Sequence, residues 1–194
     1  DGPQPKLSDE QMEILEDLDD PTPLEKHAEY AYETALGDLY DESEGDISYE
    51  DVQQGAIADC YFAAAISSAL YADNEHRLRD GLIRPVHDAD GNPLHYAVRF
   101  YDAWGRSQDV LVDADQVRSG SGNPTYLRSA DSRRGDEEWA LGLVEKAYAL
   151  WHDGYEEIGN GCNPGDVLQA LSGAHSTYRT LKYLSDDSLE RIIR

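Results

Sequence analysis

The stretch "DVQQGAIADCYFAAAISSAL", residues 51–70, decides the fold prediction. Cys60 stands directly before a run of small apolar residues, which predicts a helix that starts at the cysteine and lies buried between other elements. Gln54 stands six positions before the cysteine, with Gly55 and the polar Asp59 between them. Cys60 is therefore either a packing residue at the start of a buried helix or a nucleophile.

A cysteine in the first turn of a helix has the surroundings that a nucleophile needs. Free N–H groups and the positive end of the helix dipole favour the thiolate over the thiol. The Gln54 side chain can offer an N–H₂ group to the same space, and with the backbone N–H of Cys60 it would form a two-donor oxyanion hole. The packing alternative stays open, because cysteine is among the residue types most often buried.

The patterns that follow predict an α+β fold, rich in helix and with a small antiparallel hairpin. Residues 95–113, "HYAVRFYDAWGRSQDVLVD", contain two alternating strands around a turn centred on Gly105. Residues 136–154, "DEEWALGLVEKAYALWHDG", form a periodic helix that Gly154 ends. Residues 163–174, "NPGDVLQALSGA", start a further helix. The apolar face of the periodic helix consists of Leu141, Val144, Ala147, Tyr148 and Trp151.

The first 46 residues differ from the rest of the chain. Residues 7–23 are acidic and end in a pair of prolines, and residues 41–46, "DESEGD", form a charged, solvated loop whose spacing does not fit an EF-hand. Between them, residues 24–40 have a helical pattern. We therefore predict an acidic N-terminal tail with surface helices over residues 1–46 and the main domain over residues 47–194.

Charge narrows the classes of partner. The chain has 40 Asp and Glu against 16 Lys and Arg, a formal net charge of -24, so it should repel nucleic acid. Lysines are few, and an acidic surface poor in lysine is typical of a protein that works at very high salt concentration. The alternative is an acidic protein from a mesophilic source. No apolar run of about 18 residues is present, which argues against a membrane helix.

The two cysteines, Cys60 and Cys162, form no Cys-x-x-Cys pair and therefore predict no zinc site. We expect free thiols in a reducing compartment, with a disulfide between them as the alternative. The start of the sequence has neither a basic region nor an apolar region typical of a signal peptide. These features favour a cytoplasmic protein.

Residues 51–70 resemble the nucleophile segment of the calpain family of papain-like cysteine proteases. That family has Asp-x-x-Gln-Gly, four residues, and then Cys, an aromatic residue and a helix of small apolar residues. The matching residues are Asp51, Gln54, Gly55, Asp59, Cys60 and Tyr61. Tyr61 stands where animal calpains usually have Trp, and Ala58 replaces a usual Gly.

Two further segments extend the resemblance in the same order, over about residues 47–175. Residues 96–117 resemble the strand pair of the family, and residues 137–174 resemble its Trp…Leu-Glu-Lys-Ala-Tyr…Gly-Tyr-Glu segment. The resemblance implies a calpain protease core in which residues 47–194 are the helical N-terminal subdomain. It implies a cysteine endopeptidase of protein or peptide substrates, with Cys60 as nucleophile and Gln54 as oxyanion donor.

The family's catalytic His and Asn motifs do not appear. We expect a C-terminal subdomain to supply them; the alternative is a non-catalytic calpain-like module that binds or scaffolds. His175 in "SGAHSTY" comes too early to match the family His. Asn163 in "CNPGD" is better interpreted as a turn residue before a helix, and the neighbouring Cys162 has no assigned role.

The resemblance also implies a calcium ion in this half of the core. Asp51 occupies the first side-chain position. The second is Glu137 when counted back from Trp139, or Glu138 when counted from "EKAY". Such oxygen ligands suit Ca²⁺. The alternative is that no metal is required and that these carboxylates are solvated or cap helices.

The charge predicts that added salt stabilises the folded chain. At about 0.01 M ionic strength the Debye length is roughly 30 Å, so most acidic pairs repel each other, whereas at about 1 M it is roughly 3 Å. Thermal melts across a KCl series, with NaCl as control, measure the effect. A melting temperature that is flat up to molar KCl would rule out adaptation to high salt.

Calcium should stabilise the chain in addition to salt. At fixed ionic strength, sub-millimolar Ca²⁺ should raise the melting temperature further, and Asp51→Ala should remove that increment.

Overall fold

A computed structural model describes residues 18–40, 47–72, 81–88, 90–130, 137–177 and 185. Helices and strands alternate in small units, which confirms the predicted α+β class. The helices are α1 (Cys60–Ala72), α2 (Ala140–Trp151), α3 (Tyr155–Ile158) and α4 (Pro164–Ser172). The strands are β1 (Ala31–Thr34), β2 (Gly37–Asp38), β3 (Val52–Gln53), β4 (Ile83–His87), β5 (Pro93–Tyr101), β6 (Ser107–Val112), β7 (Asp115–Arg118), β8 (Arg128–Ser129) and β9 (Glu137–Glu138).

The predicted hairpin is part of a three-stranded antiparallel sheet in the order β4-β5-β6. Strands β5 and β6 pair from Tyr96 opposite Val112 to Tyr101 opposite Ser107. The turn between them contains Gly105 at a positive φ of 75°, a conformation that glycine adopts without steric cost. Strand β4 was not predicted. It contains Pro85, which cannot donate a ladder hydrogen bond and therefore suits this edge position.

Helix α2 lies at the centre of the core. Residues 140–149 are all buried, so the predicted apolar face was too narrow: the charged Glu145 and Lys146 are buried as well. The helix contacts β6, β7, β8 and α3. In the described part of the chain, no helix combines the length and the apolar composition needed to cross a membrane.

Helix α1 begins at Cys60, as predicted, but it is buried on one face only. Its buried side chains include Tyr61, Phe62 and Ile66, and this face packs against α4 and β3. Cys60 and Ala64 lie on the exposed side. The helix thus packs against other elements as predicted, but only on one side, because its small residues face solvent on the other.

The helix predicted over residues 24–40 is wrong. The segment contains a 3₁₀ turn at Glu25–His27 and then β1, which pairs antiparallel with β7, and β2, which pairs parallel with β9. Pairing with distant strands satisfies the backbone groups that a helix would have satisfied locally. Residues 1–17 and the 41–46 loop lie outside the described residues, and the domain division after residue 46 stays a prediction.

Lys146 attaches this N-terminal segment to α2. Its Nζ forms ion pairs with Asp20 and with Asp113, the latter at 2.6 Å, and donates to the Asp115 carbonyl at 2.9 Å. The ammonium group also lies 4.9 Å from the centre of the Tyr32 ring, an attractive cation–π contact. Tyr32 in turn donates from its hydroxyl to the Pro21 carbonyl at 2.6 Å.

Lys146→Met should therefore destabilise the chain by about 3 kcal/mol, because it leaves two neighbouring carboxylates without their shared cation. The value is at the low end for a broken buried ion pair, since Asp20 and Asp113 are partly exposed. Denaturant unfolding measures the loss. Arg106→Met is the matched control: its pair with Asp102 is at the surface, and its removal should change stability little. Equal losses in both variants would contradict this role of Lys146.

Candidate active site

Cys60 is exposed at the first residue of α1. The carbonyl of Asp59 accepts the Phe62 N–H at 2.7 Å and the Ala63 N–H at 3.2 Å, so the helical hydrogen bonding starts directly before the cysteine. The first N–H groups of a helix have no partner within it and are available to an anion. Cys162 is also an exposed free thiol, and its sulfur lies 3.8 Å from an Asp166 carboxylate oxygen. The alternative of a Cys60–Cys162 disulfide is therefore not found.

The Gln54 amide lies beside the residue that precedes the cysteine. Its Nε2 donates to the Ile57 carbonyl at 2.7 Å and to Asp59 Oδ1 at 3.2 Å. The predicted oxyanion donor is thus held next to the start of α1, with its N–H groups engaged within the chain. To serve an oxyanion, one of them must turn away from its present acceptor.

The loop that carries Gln54 approaches the segment before β8 so closely that only glycine fits. A Cβ on Gly55 would lie 2.3 Å from the Tyr126 carbonyl oxygen and 2.4 Å from that of Thr125. The next residue, Ala56, donates its N–H to the Thr125 carbonyl at 2.8 Å. This contact fixes the path of the loop between β3 and Cys60.

Two carboxyl groups meet directly beneath this loop. Asp59 and Glu145 are both 0% exposed and lie close enough to influence each other's ionisation, and each has one buried carboxyl oxygen, Asp59 Oδ2 and Glu145 Oε1, without a hydrogen-bond partner. The Leu127 N–H donates to Glu145 Oε2 at 2.9 Å. Burial and the nearby charge of Asp59 raise the pKa of Glu145 well above its ordinary value. Burial also raises the pKa of Asp59, while its interactions with Glu145 and Gln54 act against that rise.

The sequence pattern did not predict this pair, although it contains a signal for a buried carboxyl group. Glu145 follows Leu141 by four residues and precedes Tyr148 by three, so it lies on the predicted apolar face of α2. A carboxyl group on such a face needs a buried partner. Which residue that partner is cannot be read from a helical pattern.

Comparison with known proteins decides the family. The family model described as "Calpain family cysteine protease" matches residues 38–194 of the chain. The chain belongs to the calpain family. The predicted resemblance is confirmed.

Several calpains are similar over about two thirds of the chain. "Calpain clp-4" of Caenorhabditis elegans is 33% identical over 135 residues, which cover 68% of this chain and 17% of that protein. "Calpain-type cysteine protease DEK1" of Arabidopsis thaliana is 31% identical over 130 residues, 67% of this chain and 6% of that protein. "Calpain-1 catalytic subunit" of the mouse is 26% identical over 144 residues, 74% of this chain and 19% of that protein. The chain thus spans under a fifth of the length of these calpains.

Asn163 and His175, the two residues considered in place of the family's missing Asn and His, lie at the two ends of α4. Asn163 is the N-cap of α4, and its Oδ1 accepts the Gly165 N–H at 3.0 Å, which agrees with its interpretation as a turn residue before a helix. His175 is exposed after the end of that helix, with its Nδ1 3.4 Å from Gln169 Oε1. Both side chains thus interact with groups of α4 itself.

The carboxylates predicted as calcium ligands have unequal surroundings. Glu137 is buried and forms a bidentate ion pair with Arg118, at 2.8 Å and 2.5 Å. Asp51 Oδ2 accepts the Ser48 N–H at 2.7 Å. Among the described residues, no three His, Cys, Asp or Glu side chains form a cluster that could hold a metal ion. Glu138 is half-buried in β9. Strand β9 contacts β8, and β8 pairs with β3, the strand that starts directly after Asp51.

A groove with a volume of about 630 Å³ lies beside the loop that carries Gln54. Its lining includes His27, Gln54, Ser119, Thr125 and Arg128, but not Cys60. The predicted oxyanion donor Gln54 therefore lines this groove, whereas the cysteine does not.

Gly55→Ala should destabilise the chain by about 3 kcal/mol, because the added methyl group meets two carbonyl oxygens that cannot both move aside. Gly120→Ala is the matched control, since nothing lies within 4 Å of a Cβ at that position. Thermal or denaturant unfolding of the three proteins measures the difference. Similar stability of both variants would mean that the loop does not approach residues 125–126 in this way.

Proposed function

We propose that this chain is the nucleophile-bearing subdomain of a calpain-type cysteine endopeptidase. The observation that carries the proposal is the position of Cys60: an exposed thiol at the first residue of α1, with the Gln54 amide hydrogen-bonded to the residue before it. Membership of the calpain family supports a hydrolase that acts on peptide bonds.

In the proposed reaction the Cys60 thiolate attacks the carbonyl carbon of the scissile peptide bond. The C–S bond forms as the carbonyl π electrons move to oxygen, which becomes an oxyanion. Collapse of this intermediate breaks the C–N bond and releases the amine, which takes up a proton from a general acid. Water then hydrolyses the resulting thioester and regenerates the thiol.

The oxyanion would be stabilised by the Cys60 backbone N–H and one Gln54 Nε2–H. Of the two bonds that Nε2 donates, the one to Asp59 Oδ1 is longer, at 3.2 Å against 2.7 Å to Ile57. One of these two N–H groups would turn to the oxyanion, while the bond that the other N–H donates keeps the amide in place.

The general acid and base would be a His oriented by an Asn, both supplied from outside these 194 residues. A His is needed because the leaving amine must be protonated, and a thiolate alone cannot do so. The partner of this chain is then a C-terminal His/Asn subdomain, and the substrate is a protein or peptide.

For calcium, the proposed side-chain ligands are Asp51 and either Glu137 or Glu138. Use of Glu137 for a metal would leave the buried Arg118 guanidinium without its carboxylate partner. In the calcium melts, loss of the increment in Glu138→Ala as well as in Asp51→Ala would assign Glu138 as the second ligand, whereas an increment that survives Glu138→Ala would leave Glu137.

The decisive test uses the full-length protein that contains these residues. Cys60→Ala should abolish peptide hydrolysis, and Gln54→Ala should lower kcat about 100- to 1000-fold with little change in KM, because an oxyanion donor acts in the transition state. Hydrolysis assays on a fluorogenic peptide measure both parameters. Activity that survives Cys60→Ala would contradict the proposal.

Residues 1–194 alone should not hydrolyse peptides, because no general acid is in place. Robust hydrolysis by this chain that Cys60→Ala abolishes would instead make His175 the candidate base. The alternative function, a non-catalytic binding or scaffolding module, predicts that the full-length protein hydrolyses nothing and that Cys60→Ala leaves partner binding unchanged.

A further inference from the structure

We propose that Glu145 and Asp59 are positioning residues for the oxyanion hole: a proton shared between their carboxyl groups keeps Asp59 an acceptor, and Asp59 in turn orients the Gln54 amide. This inference rests on the proposed peptidase function. It adds a role for a residue of α2 that lies far from Cys60 in the sequence.

Two of the four carboxyl oxygens of Asp59 and Glu145 accept an N–H hydrogen bond, and the other two do not. Asp59 Oδ1 accepts from Gln54 at 3.2 Å, and Glu145 Oε2 accepts from the Leu127 N–H at 2.9 Å. The other two oxygens, Asp59 Oδ2 and Glu145 Oε1, are buried and have no hydrogen-bond partner among the described residues. Two ionised carboxylates are acceptors only, so a proton on one of these neighbouring groups is what allows the two oxygens to satisfy each other.

Glu145 is the residue that holds this proton. Both side chains are fully buried, but Glu145 accepts only the Leu127 N–H, whereas the charge of Asp59 is supported by the Gln54 amide and lies at the start of α1. Two ionised carboxylates in contact inside the core would repel each other strongly, so one stays neutral. A protonated Glu145 donates to Asp59 Oδ2, and this bond compensates the buried charge of Asp59.

The surrounding titratable groups leave this assignment intact. Tyr61 from α1, Tyr155 from α3 and Tyr126 from the segment before β8 face the pair, and burial raises the pKa of each, so all three stay neutral. Lys146, the next residue along α2, is directed to Asp20 and Asp113 instead. In the described part of the chain no cation neutralises the two carboxyl groups.

An ionised Asp59 matters because it fixes which way the Gln54 amide points. A carboxylate accepts hydrogen bonds and donates none, so it selects Nε2 over Oε1. Turned by half a rotation, the amide would present its oxygen to Asp59 and to the start of α1, where it would repel an oxyanion. The Glu145–Asp59–Gln54 chain therefore keeps a donor, rather than an acceptor, beside Cys60.

A double-mutant cycle on the full-length protein tests this role. Glu145→Ala should lower kcat and leave KM little changed, and Glu145→Gln should restore most of the loss, because its amide can donate to Asp59 and accept from Leu127. In a Gln54→Ala background, Glu145→Ala should cost almost nothing further, since the two residues act through the same donor. Melting temperatures verify that each variant is folded.

Asp59→Asn is the second variant, in case Glu145→Ala does not fold. An asparagine can donate to Gln54 Oε1 and so release the amide orientation, and kcat should fall with KM unchanged. If either Glu145→Ala or Asp59→Asn lowers kcat by the same factor with and without Gln54, the effect is structural and the positioning role is overturned.

The shared proton has a readout that needs no peptidase activity. A carboxyl group whose pKa is raised by folding contributes stability that is fully present below its unfolded pKa and is lost as the pH rises through its folded pKa. In the 194-residue chain, the stability advantage of wild type over Glu145→Gln should therefore decrease as the pH rises from about 4.5. An advantage that stays constant or grows with pH would show that Glu145 is ionised and would overturn the shared proton.

Different results would contradict the proposed peptidase function and the positioning role of Glu145 and Asp59. A Cys60-dependent peptidase with an additive Glu145–Gln54 cycle would overturn the positioning role and leave the proposed function standing. A full-length protein that hydrolyses no peptide would overturn the proposed function and the positioning role together, whatever the pH dependence of stability.

Discussion

Two carboxyl groups in contact inside the core are the constraint on which the rest of the structure depends. Asp59 precedes the cysteine and Glu145 lies in the central helix, so the proximity of their buried carboxyl groups connects the start of α1 with α2. The backbone makes a second connection between these regions. The Leu127 N–H donates to Glu145, and the carbonyls of Thr125 and Tyr126, just before Leu127, lie against Gly55 of the loop that leads to Cys60. Cys60 is thus set at the surface by groups that are themselves fully buried.

Helix α2 connects the cysteine segment with the N-terminal segment through two consecutive side chains. Glu145 is directed to the cysteine segment, whereas Lys146 is directed to Asp20, Asp113 and the ring of Tyr32 in the N-terminal segment. Burial of two charged residues in sequence is costly unless each is paired, and here each has its own partners. The "EKAY" motif of the calpain resemblance therefore has a physical meaning: its Glu145 contacts the segment that carries Cys60, and its Lys146 contacts the N-terminal segment.

The sequence predicted the elements that depend on local pattern. The start of α1 at Cys60, the hairpin around Gly105 and the cap of α4 at Asn163 all follow from residue types a few positions apart. It failed where distant segments decide the structure. Residues 24–40 look helical on their own, but β1 and β2 form because β7 and β9 offer open strand edges, and no local pattern reports those edges. For the same reason the partner of Glu145 could not be predicted, and the oxyanion role of Gln54 stays a prediction.

The protonation state of Glu145 in the folded 194-residue chain tests the central claim most directly. Glutamate labelled with ¹³C at the side-chain carboxyl gives NMR signals that report protonation, and Glu145→Gln identifies the signal of interest by its loss. Because burial and the neighbouring Asp59 raise the pKa of Glu145, we expect this signal to remain that of a neutral acid well above the range in which a glutamate side chain of a model peptide titrates, about pH 4.3. A Glu145 signal that titrates in that ordinary range would contradict a shared proton with Asp59.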